Sequence, residues 1–366
     1  MSKTKMNGVD PLDVFDKFGV DATRLTLAQV GSTDTRWNEK QVESYRNFAN
    51  KIWNAARFCL LNAEGAEVKP QLLNDNKNLA LHDRWIISRL NKTARDINAA
   101  LNAYEFHAAV QMLYHFFWDD FCDWYIELSK SDVTSEEDGP RRAEARSRLL
   151  TVLEQALRLL HPFMPYITED LWQRLPGNKQ LHPAYAGAEP TIMLTAFPQG
   201  RDELIDEEAE SEMQAFIDLI SRVRNIRSEM NISPSQHIPV LVASSDPKRR
   251  EAIAAAKERA KRLIRASEIT IREKLDAPKA SARAVLLGGG ELAVPLEGLI
   301  DFEQERQRLN REQQKLQAEA TKLEAQLGNP NFVERAPAER VNEVRARLAE
   351  IGERSSQLQQ TIENLQ

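Results

Sequence analysis

The stretch with the clearest capacity for chemistry runs from 46 to 61, RNFANKIWNAARFCLL, where polar side chains recur at helical spacing. At about 100° per residue they gather on one side of a helix. This polar face consists of Arg46, Asn50, Asn54 and Arg57, and the aromatic ring of Phe58 also points well away from the apolar side. Guanidinium groups, amide edges and an aromatic ring bind unpaired bases through hydrogen bonds and stacking. The structural alternative is that Phe58 packs under a neighbouring helix while the arginines are solvated.

A helix is needed to hold these side chains in register, and its apolar face can also be identified from the spacing. The residues spaced for one buried side are Val42, Tyr45, Ala49, Ile52, Ala56 and Leu60. Trp53 lies at the border between this apolar face and the polar face, and the spacing does not assign its side. The stretch therefore predicts an amphipathic helix that packs within a helical bundle.

The N-terminal segment MSKTKMNG is short, polar and ends in glycine, which predicts a loop. Such a loop can bring the ammonium group of Lys3 or Lys5 onto a phosphate chain, where positive charge stabilises developing negative charge. A lysine pair in such a segment is usually solvated. Spacing alone therefore favours no role for these two lysines.

Residues 105 to 130 predict the most aromatic helix of the chain. Its core candidates are Phe106, Val110, Leu113, Phe117, Phe121, Trp124 and Leu128. Asp119, Asp123 and Glu127 follow each other at i, i+4 spacing, which raises the question of a carboxylate metal site. A solvated acidic face is favoured instead, because no second helix supplies the matching Glu and Glu-x-x-His ligands. No metal site is predicted.

A third group of polar residues, Arg222, Arg224 and Arg227, recurs along a long helix predicted from about 203 to 230. The stripe is either solvated or faces phosphate, and both interpretations remain open. Beyond this helix, short apolar runs around one further helix predict a small α/β module. Its GGG at 288 to 290 lies between two apolar runs and predicts a hairpin turn in preference to a phosphate-binding loop.

The last segment has heptad spacing on both sides of the break GNPNFVERAP. The apolar heptad positions are Phe302, Leu309, Leu316 and Leu323, then Val341, Val344, Leu348, Ile351, Leu358, Ile362 and Leu365. Two helices of about 26 residues would form an antiparallel coiled-coil arm roughly 40 Å long. The positions that invite contact with RNA are Arg306, Arg308, Arg311, Lys315 and Lys322.

Composition excludes several classes of protein. The 366 residues include 49 Lys and Arg against 55 Asp and Glu, a net charge of −6, which argues against general affinity for nucleic acid. Cys59 and Cys122 lie far apart on apolar helical patterns, so neither a disulfide framework nor a Cys-rich metal site is predicted. Neither an apolar run of membrane-spanning length nor a signal-peptide pattern occurs. We expect a soluble, cytoplasmic protein without a membrane partner.

The predicted fold is mainly α: a helical-bundle domain, a small α/β module and a C-terminal antiparallel coiled-coil arm. Changes in composition and periodicity predict five segments along the chain. They are the connecting helices at 1–38, the helical bundle at 39–175, a linker at 176–202, the α/β module at 203–298 and the arm at 299–366.

Taken together, these segments resemble the C-terminal half of the bacterial valyl-tRNA synthetases, which are class I aminoacyl-tRNA synthetases. MSKTK is similar to the class I Lys-Met-Ser-Lys-Ser signature loop without its first lysine, and NGVDPLDVFDKFGVDATRLTLA is similar to the segment that follows that loop. YRNFANKIWNAARF resembles the first anticodon-domain helix of the valyl enzymes. HPFMPYITEDLW resembles the class I helical domain more broadly, and LEGLIDFEQE with GNPNFVERAPAERV resembles the valyl arm.

The resemblance implies the tRNA-binding part of a valine–tRNA ligase, which attaches valine to tRNA(Val) using ATP, with Mg in the full enzyme. Segment 1–38 would be the end of the class I catalytic domain, and 39–175 the anticodon-binding domain. Lys3 would contact the ATP phosphates from the loop residues Met1, Ser2, Lys3 and Thr4. Asn50, Asn54, Arg57 and Phe58, with Arg46, would meet the anticodon loop, and the arm would brace the outer corner of the tRNA. The expected partners are tRNA(Val) and an N-terminal catalytic half, and the expected state is a monomer.

The chain also departs from the family pattern. Met6 stands where the family usually has glycine, and Thr4 replaces the usual serine. None of the six histidines begins a His-x-Gly-His element, so the chain alone is expected to be inactive. The alternative function is a catalytically inactive RNA-binding or scaffold protein derived from a synthetase. A purely structural coiled coil would explain only 300–366.

Overall fold

The computed structural model describes residues 8–30, 37–75, 77–134, 139–181, 189–300, 302–329, 332 and 338–364. Two compact units make up the chain, Met1–Met213 and Gln214–Gln366. The division falls inside a helix, whereas the sequence predicted a boundary across 176–202. The predicted segment boundaries stay predictions.

The first unit is a helical bundle, which confirms the predicted mainly α class. Its helices are α1 (Pro11–Phe18), α2 (Val20–Ala28), α3 (Glu39–Leu61), α4 (Leu81–Asn102), α5 (Phe106–His115), a π-helical segment (Phe116–Tyr125), α6 (Ile126–Thr134), α7 (Gly139–Leu160), α8 (Pro165–Gln173) and the start of α9 (Glu207–Glu229).

Helix α8 begins at Pro165, and a proline is favoured in the first turn of a helix because its missing N–H would have no partner there. Its free N–H groups are satisfied from α2, because the carboxylate of Asp21 accepts hydrogen bonds from the backbone N–H of Ile167 at 2.7 Å and of Tyr166 at 3.3 Å. Burial of this carboxylate raises the pKa of Asp21. A side chain more than 140 residues away in sequence therefore caps this helix.

The π-helical segment changes which residues of the predicted aromatic helix enter the core. Phe117, Phe121 and Leu128 are buried as predicted, but Trp124 is only half-buried; Phe106, which begins α5 ahead of this segment, is 45% exposed. Tyr125 takes the inner position with 1% exposure. The wider i→i+5 turn advances the register by one residue, which a period of 3.6 cannot anticipate.

A buried polar network joins α4, the π-helical segment and α7. The Tyr125 hydroxyl donates to Asp83 Oδ1 at 2.9 Å, and Arg148 Nη1 donates to Asp83 Oδ2 at 3.0 Å. Arg148 also donates to Glu144 at 2.6 Å. Pairing offsets the cost of burying these charges and fixes the relative rotation of three helical elements.

The stretch predicted as a linker packs against the bundle where it is described. Asn91 on α4 accepts a hydrogen bond from the backbone N–H of Arg201 at 3.1 Å, and Asn98 donates to the carbonyl of Pro198 at 2.9 Å. A Cβ on Gly200 would lie 2.3 Å from the carbonyl oxygen of Asn91, so only glycine permits this approach.

The second unit contains the rest of α9 and a four-stranded mixed sheet. The elements are β1 (Ile238–Ala243), α10 (Pro247–Ala255), α11 (Lys257–Ile264), β2 (Ala266–Arg272), β3 (Ser281–Val285) and β4 (Glu291–Pro295), with strand order β2-β1-β4-β3. β1 pairs in parallel with β2 and antiparallel with β4, and β4 pairs antiparallel with β3. The predicted α/β module is confirmed, and the three glycines at 288 to 290 turn the β3–β4 hairpin with positive φ.

The arm consists of α12 (Phe302–Leu327) and α13 (Ala338–Asn364), two paired helices of 26 and 27 residues. This agrees with the predicted length. The seam buries the heptad residues Leu309, Val341, Ile351, Leu358 and Ile362, and also Ala320. Leu365 lies outside the described residues. Among the helices that the structure describes, none is both long and apolar enough to cross a lipid bilayer.

Candidate nucleic-acid interface

Helix α3 is fixed at both ends by asparagine. The side chain of Asn38 accepts a hydrogen bond from the backbone N–H of Lys40 at 3.0 Å, which is the usual role of an N-cap residue. At the other end Asn62 donates from its amide to the carbonyl of Phe58 at 2.9 Å. The helix of 23 residues therefore has defined limits, and its side chains keep a fixed register.

The inner face of α3 differs in part from the predicted one. Val42, Tyr45, Ile52 and Ala56 are buried as predicted. Phe48, Ala55 and Cys59 are buried as well, whereas Ala49 and Leu60 are only half-buried. The centre of the face is shifted because α3 packs against the aromatic cluster of α5 and the π-helical segment, where Phe48 lies 4.9 Å from Tyr114 between ring centroids.

The outer face of α3 presents three polar side chains. Asn50, Asn54 and Arg57 are exposed, and within the described part of the chain none of the three makes a side-chain hydrogen bond or ion pair. Their donors and acceptors are therefore available to a ligand without breaking an internal contact.

The other two residues predicted for this face have partners. Arg46 forms an ion pair with Glu43 at 3.0 Å and lies 5.8 Å from the ring centroid of Phe18. Phe58 is half-buried, and the ammonium group of Lys130 lies 5.8 Å from its ring centroid. Part of the Phe58 ring thus faces solvent beside a cation.

Trp53, whose side the spacing did not assign, belongs to the outer face with 41% exposure. The guanidinium of Arg174 lies 5.4 Å from its ring centroid. Asp170 holds Arg174 through two hydrogen bonds of 3.0 and 2.8 Å, and this pairing raises the pKa of Arg174. Arg174 was not among the predicted residues, because no local sequence pattern links residue 174 to a helix that ends at 61.

The three carboxylates that raised the question of a metal site each have a basic partner. Asp119 pairs with His115 at 2.9 Å, Asp123 with Lys51 at 2.7 Å and Glu127 with Lys130 at 2.5 Å. Lys51 also lies 3.6 Å from the ring centroid of Trp118. The acidic side of the aromatic helix is therefore tied to neighbouring cations.

The basic positions of the arm fall into two groups. Arg306 pairs with Glu303, and Arg308 pairs with Glu312 at 3.2 Å while donating to the carbonyl of Glu229 at 2.8 Å. The second group, Arg311, Lys315 and Lys322, is exposed.

The arginine stripe of α9 does not form one surface. Arg222 is exposed and pairs with Asp218 at 3.1 Å, and Arg224 is exposed as well, but Arg227 is buried at 8% exposure. Its guanidinium donates to backbone carbonyls, so neither of the two predicted interpretations describes it. The signature-loop residues Met1, Ser2, Lys3 and Thr4, with Lys5 and Met6, lie outside the described residues.

Two parts of the chain match known protein families. Residues 83–242 match the anticodon-binding domain of tRNA ligases, and residues 301–366 match the valyl tRNA synthetase tRNA-binding arm. The first match lies within the bundle and the start of the α/β module, and the second covers α12 and α13.

Curated relatives match the chain over its length. It is 41% identical over 370 residues to a valine–tRNA ligase of Geobacter sulfurreducens, and 39% identical over 367 residues to that of Staphylococcus carnosus, in each case over 100% of this chain. A valine–tRNA ligase of Geobacillus stearothermophilus is 40% identical over 96% of it. The chain spans 40% of the length of these relatives and matches their C-terminal part.

Proposed function

We propose that this chain, whose sequence matches the C-terminal part of bacterial valine–tRNA ligases, binds tRNA(Val) through the outer face of α3 and through the arm. The observation that carries the proposal is the unpartnered state, within the described residues, of Asn50, Asn54 and Arg57 on one exposed helix face. Amide and guanidinium groups are suited to hydrogen bonding with the edges of unstacked bases.

Each residue of the α3 face has a proposed role toward the anticodon loop. Asn50 and Asn54 hydrogen-bond base edges, since an amide offers both donors and an acceptor. Arg57 binds phosphate or a base edge, and the exposed part of the Phe58 ring stacks on a base. Arg46, which already pairs with Glu43, contributes positive charge near the loop.

The arm is proposed to brace the outer corner of the tRNA. Its candidate contacts are Arg306, Arg308, Arg311, Lys315 and Lys322. The exposed Arg311, Lys315 and Lys322 are the stronger candidates, because Arg306 and Arg308 already pair with carboxylates.

The activity of the whole protein is part of the same proposal. A valine–tRNA ligase activates valine with ATP and transfers it to tRNA(Val), and Lys3 is the residue of this chain proposed to contact the ATP phosphates. Its sequence similarity to the signature loop supports that role. We propose that the chain acts in the cytoplasm as a monomer, together with an N-terminal catalytic half, and has no ligase activity alone.

The test compares wild-type binding to tRNA(Val) and to a tRNA(Val) whose anticodon alone is changed. Tighter binding to the unaltered tRNA, measured by fluorescence anisotropy at a stated salt concentration, supports anticodon recognition. Equal affinity for both would overturn it. A second experiment mixes the chain with a separately produced N-terminal half: restored valylation supports the ligase, whereas tRNA binding without rescue supports the inactive RNA-binding alternative.

A further inference from the structure

A strongly basic stretch lies in the α/β module, outside both family matches, which end at 242 and resume at 301. Between 248 and 265 there are eight basic residues and two acidic ones, in a chain whose net charge is −6. The basic residues are Lys248, Arg249, Arg250, Lys257, Arg259, Lys261, Arg262 and Arg265. This local excess of positive charge is separate from the surfaces considered above.

Three cations of this stretch line a depression of about 680 Å³ at the end of α11. This depression, the α11 basin, is lined by Lys261, Arg262, Arg265, His237, Ser267 and one carboxylate, Glu258. Arg262, Arg265, His237 and Ser267 are exposed, and Lys261 is half-buried. Three permanent cations facing one carboxylate give the basin a positive potential that attracts anions.

A buried arginine fixes the frame of the basin. The guanidinium of Arg227 donates to the carbonyls of Ser233 at 2.9 Å and Gln236 at 2.7 Å on one side. On the other side it donates to Ile264 at 2.8 Å and Arg265 at 3.2 Å. The first pair precedes His237 and the second pair ends α11, so one side chain ties together the two segments that border the basin. Burial and the nearby charge of Arg265 lower the pKa of Arg227.

Arg265 occupies a backbone position that does not favour it. Its φ of 48° and ψ of 49° lie in the left-handed region, at the position after a helix where glycine is the usual residue. An arginine in this conformation strains the backbone. Such strain is found mostly at positions where the side chain has a function. That contribution is an exposed guanidinium at the edge of the basin.

The region offers charge without stacking groups. Residues 243–300 contain no Phe, Tyr or Trp, so base stacking is not available there. Guanidinium and ammonium groups without aromatic neighbours bind the phosphate backbone, which positions nucleic acid without reading its sequence. Lys257 and Arg259 precede the basin cations on the same helix, so the positive charge extends farther than a single phosphate group requires.

We propose that the α11 basin binds the ribose-phosphate backbone of RNA, as a contact independent of the anticodon. The identity of the RNA as tRNA(Val) rests on the proposed function, whereas the class of ligand rests on the basin. Lys261, Arg262 and Arg265 bind phosphate oxygens, and Arg227 is the positioning residue that holds the two borders of the basin.

The decisive variant is the full chain carrying Lys261→Gln and Arg262→Gln. Its matched control carries Lys274→Gln and Lys279→Gln, the same change in charge at exposed residues between β2 and β3. Binding of tRNA(Val) is measured from about 50 to 200 mM salt, where each phosphate contact adds about 0.7 to 0.9 to the slope of log K against log salt. We expect the slope to fall by about 1.4 to 1.8 in the basin variant, which removes two cations, and to stay unchanged in the control. Equal slopes in the basin variant and the wild type would overturn the proposal.

Arg265→Gly separates binding from folding. Glycine adopts the left-handed conformation without strain, so the melting temperature should stay unchanged or rise while the affinity for tRNA falls. Unchanged affinity would assign Arg265 and its neighbours to stabilising the end of α11 and would overturn the proposal.

Two comparisons identify the ligand. The slope reduction should be equal for tRNA(Val) and for the tRNA with a changed anticodon. If the wild type fails to discriminate the anticodon but the slope still falls, the α3 proposal is wrong and the basin proposal stands. Polyglutamate of matched charge serves as the competitor of a different class, and displacement of the RNA as effective as that by unlabelled tRNA would overturn the assignment to RNA.

Discussion

The outer face of α3 and the basic side of the arm are proposed to bind the same RNA, yet their side chains are prepared for it differently. Within the described residues, Asn50, Asn54 and Arg57 make no internal polar contact. On the arm, Arg306 and Arg308 pair with carboxylates of their own helix. Internal pairing reduces the charge available to phosphate, so a count of basic residues overstates the electrostatic contribution of the arm.

The two regions also differ in what supports them. The inner face of α3 packs into a multi-helix core in which Phe48 is 0% exposed. The arm pairs two helices along one seam, and most of its remaining surface is exposed. A rigid platform suits recognition of individual bases, whereas a two-helix arm suits contact with the shape of a large RNA.

Substitutions in the buried contacts beneath each region should produce the largest losses of stability. Phe48→Ala leaves a cavity in the aromatic cluster and should lower the free energy of unfolding of the bundle by about 3 to 5 kcal/mol. Ile351→Ala in the arm should lower it by about 2 kcal/mol, because the seam is narrow and can collapse. Hydrogen exchange followed by mass spectrometry shows whether the bundle or the arm has lost stability. An equal loss in the two variants would contradict the idea that the bundle supports α3 more strongly than the seam supports the arm.

Phe58→Ala should weaken binding of tRNA(Val) by about 1 to 3 kcal/mol through the loss of one stacking contact. Leu61→Ala, at a residue of the same helix with 74% exposure, is the control and should leave affinity unchanged. Circular dichroism checks both proteins. A large loss of helicity in Phe58→Ala would instead assign the ring to the core.

The difference in charge pairing predicts a difference in salt dependence. Arg57→Ala should lower the slope of log K against log salt by about 1, because within the described residues no carboxylate pairs with its guanidinium. Arg306→Ala should lower it by less, because Glu303 already neutralises the charge. Salt titrations of both variants measure this, and equal reductions would show that pairing within the arm does not matter.

The smallest expected effect concerns pH. Burial lowers the pKa of His161, whose Nδ1 is hydrogen-bonded with Thr168 Oγ1 at 2.8 Å. The unfolded chain then binds the proton first, so the bundle loses stability as the pH falls from about 6.5 through the lowered pKa. Burial raises the pKa of Asp21, and a raised carboxyl pKa makes the bundle more stable as the pH falls. The contribution of the histidine is therefore the difference in pH-dependent stability between the wild type and His161→Gln.

The arm should respond at a lower pH. A hydrogen bond from Arg347 lowers the pKa of Glu319 from 4.5, so the contribution of this pair is present above that value and is lost as the pH falls through the lowered pKa. Urea unfolding at pH 7 and at pH 5 should therefore show a lower free energy of unfolding of the bundle at pH 5, and a smaller decrease in His161→Gln. The pair of Glu319 and Arg347 should stay intact at both pH values. A pH dependence unaltered by the substitution would contradict the role of His161.

The sequence predicted the α-helical bundle, the α/β module and the arm because hydrophobic period is a local property, but it predicted neither the π-helical segment nor the division of one helix into α10 and α11. Helices, hairpin and heptads all followed from it, as did the exposure of Asn50, Asn54 and Arg57. Phe48 was missed because the face of α3 is set by the aromatic side chains opposite it. Arg174 and Arg227 were missed or misassigned because their contacts join residues that are distant in sequence or lie in the backbone.

The π-helical segment has a consequence for chain length. Its wider turns hold more residues along the same helix axis than an α-helix does, so the bundle accommodates additional chain within a helix instead of in a loop. A related chain with one residue fewer between 116 and 125 would keep the same bundle by closing the wide turn. An alignment of the two sequences would then need a gap in the middle of a helix. The inserted residue would be retained as a π-helical turn within the core.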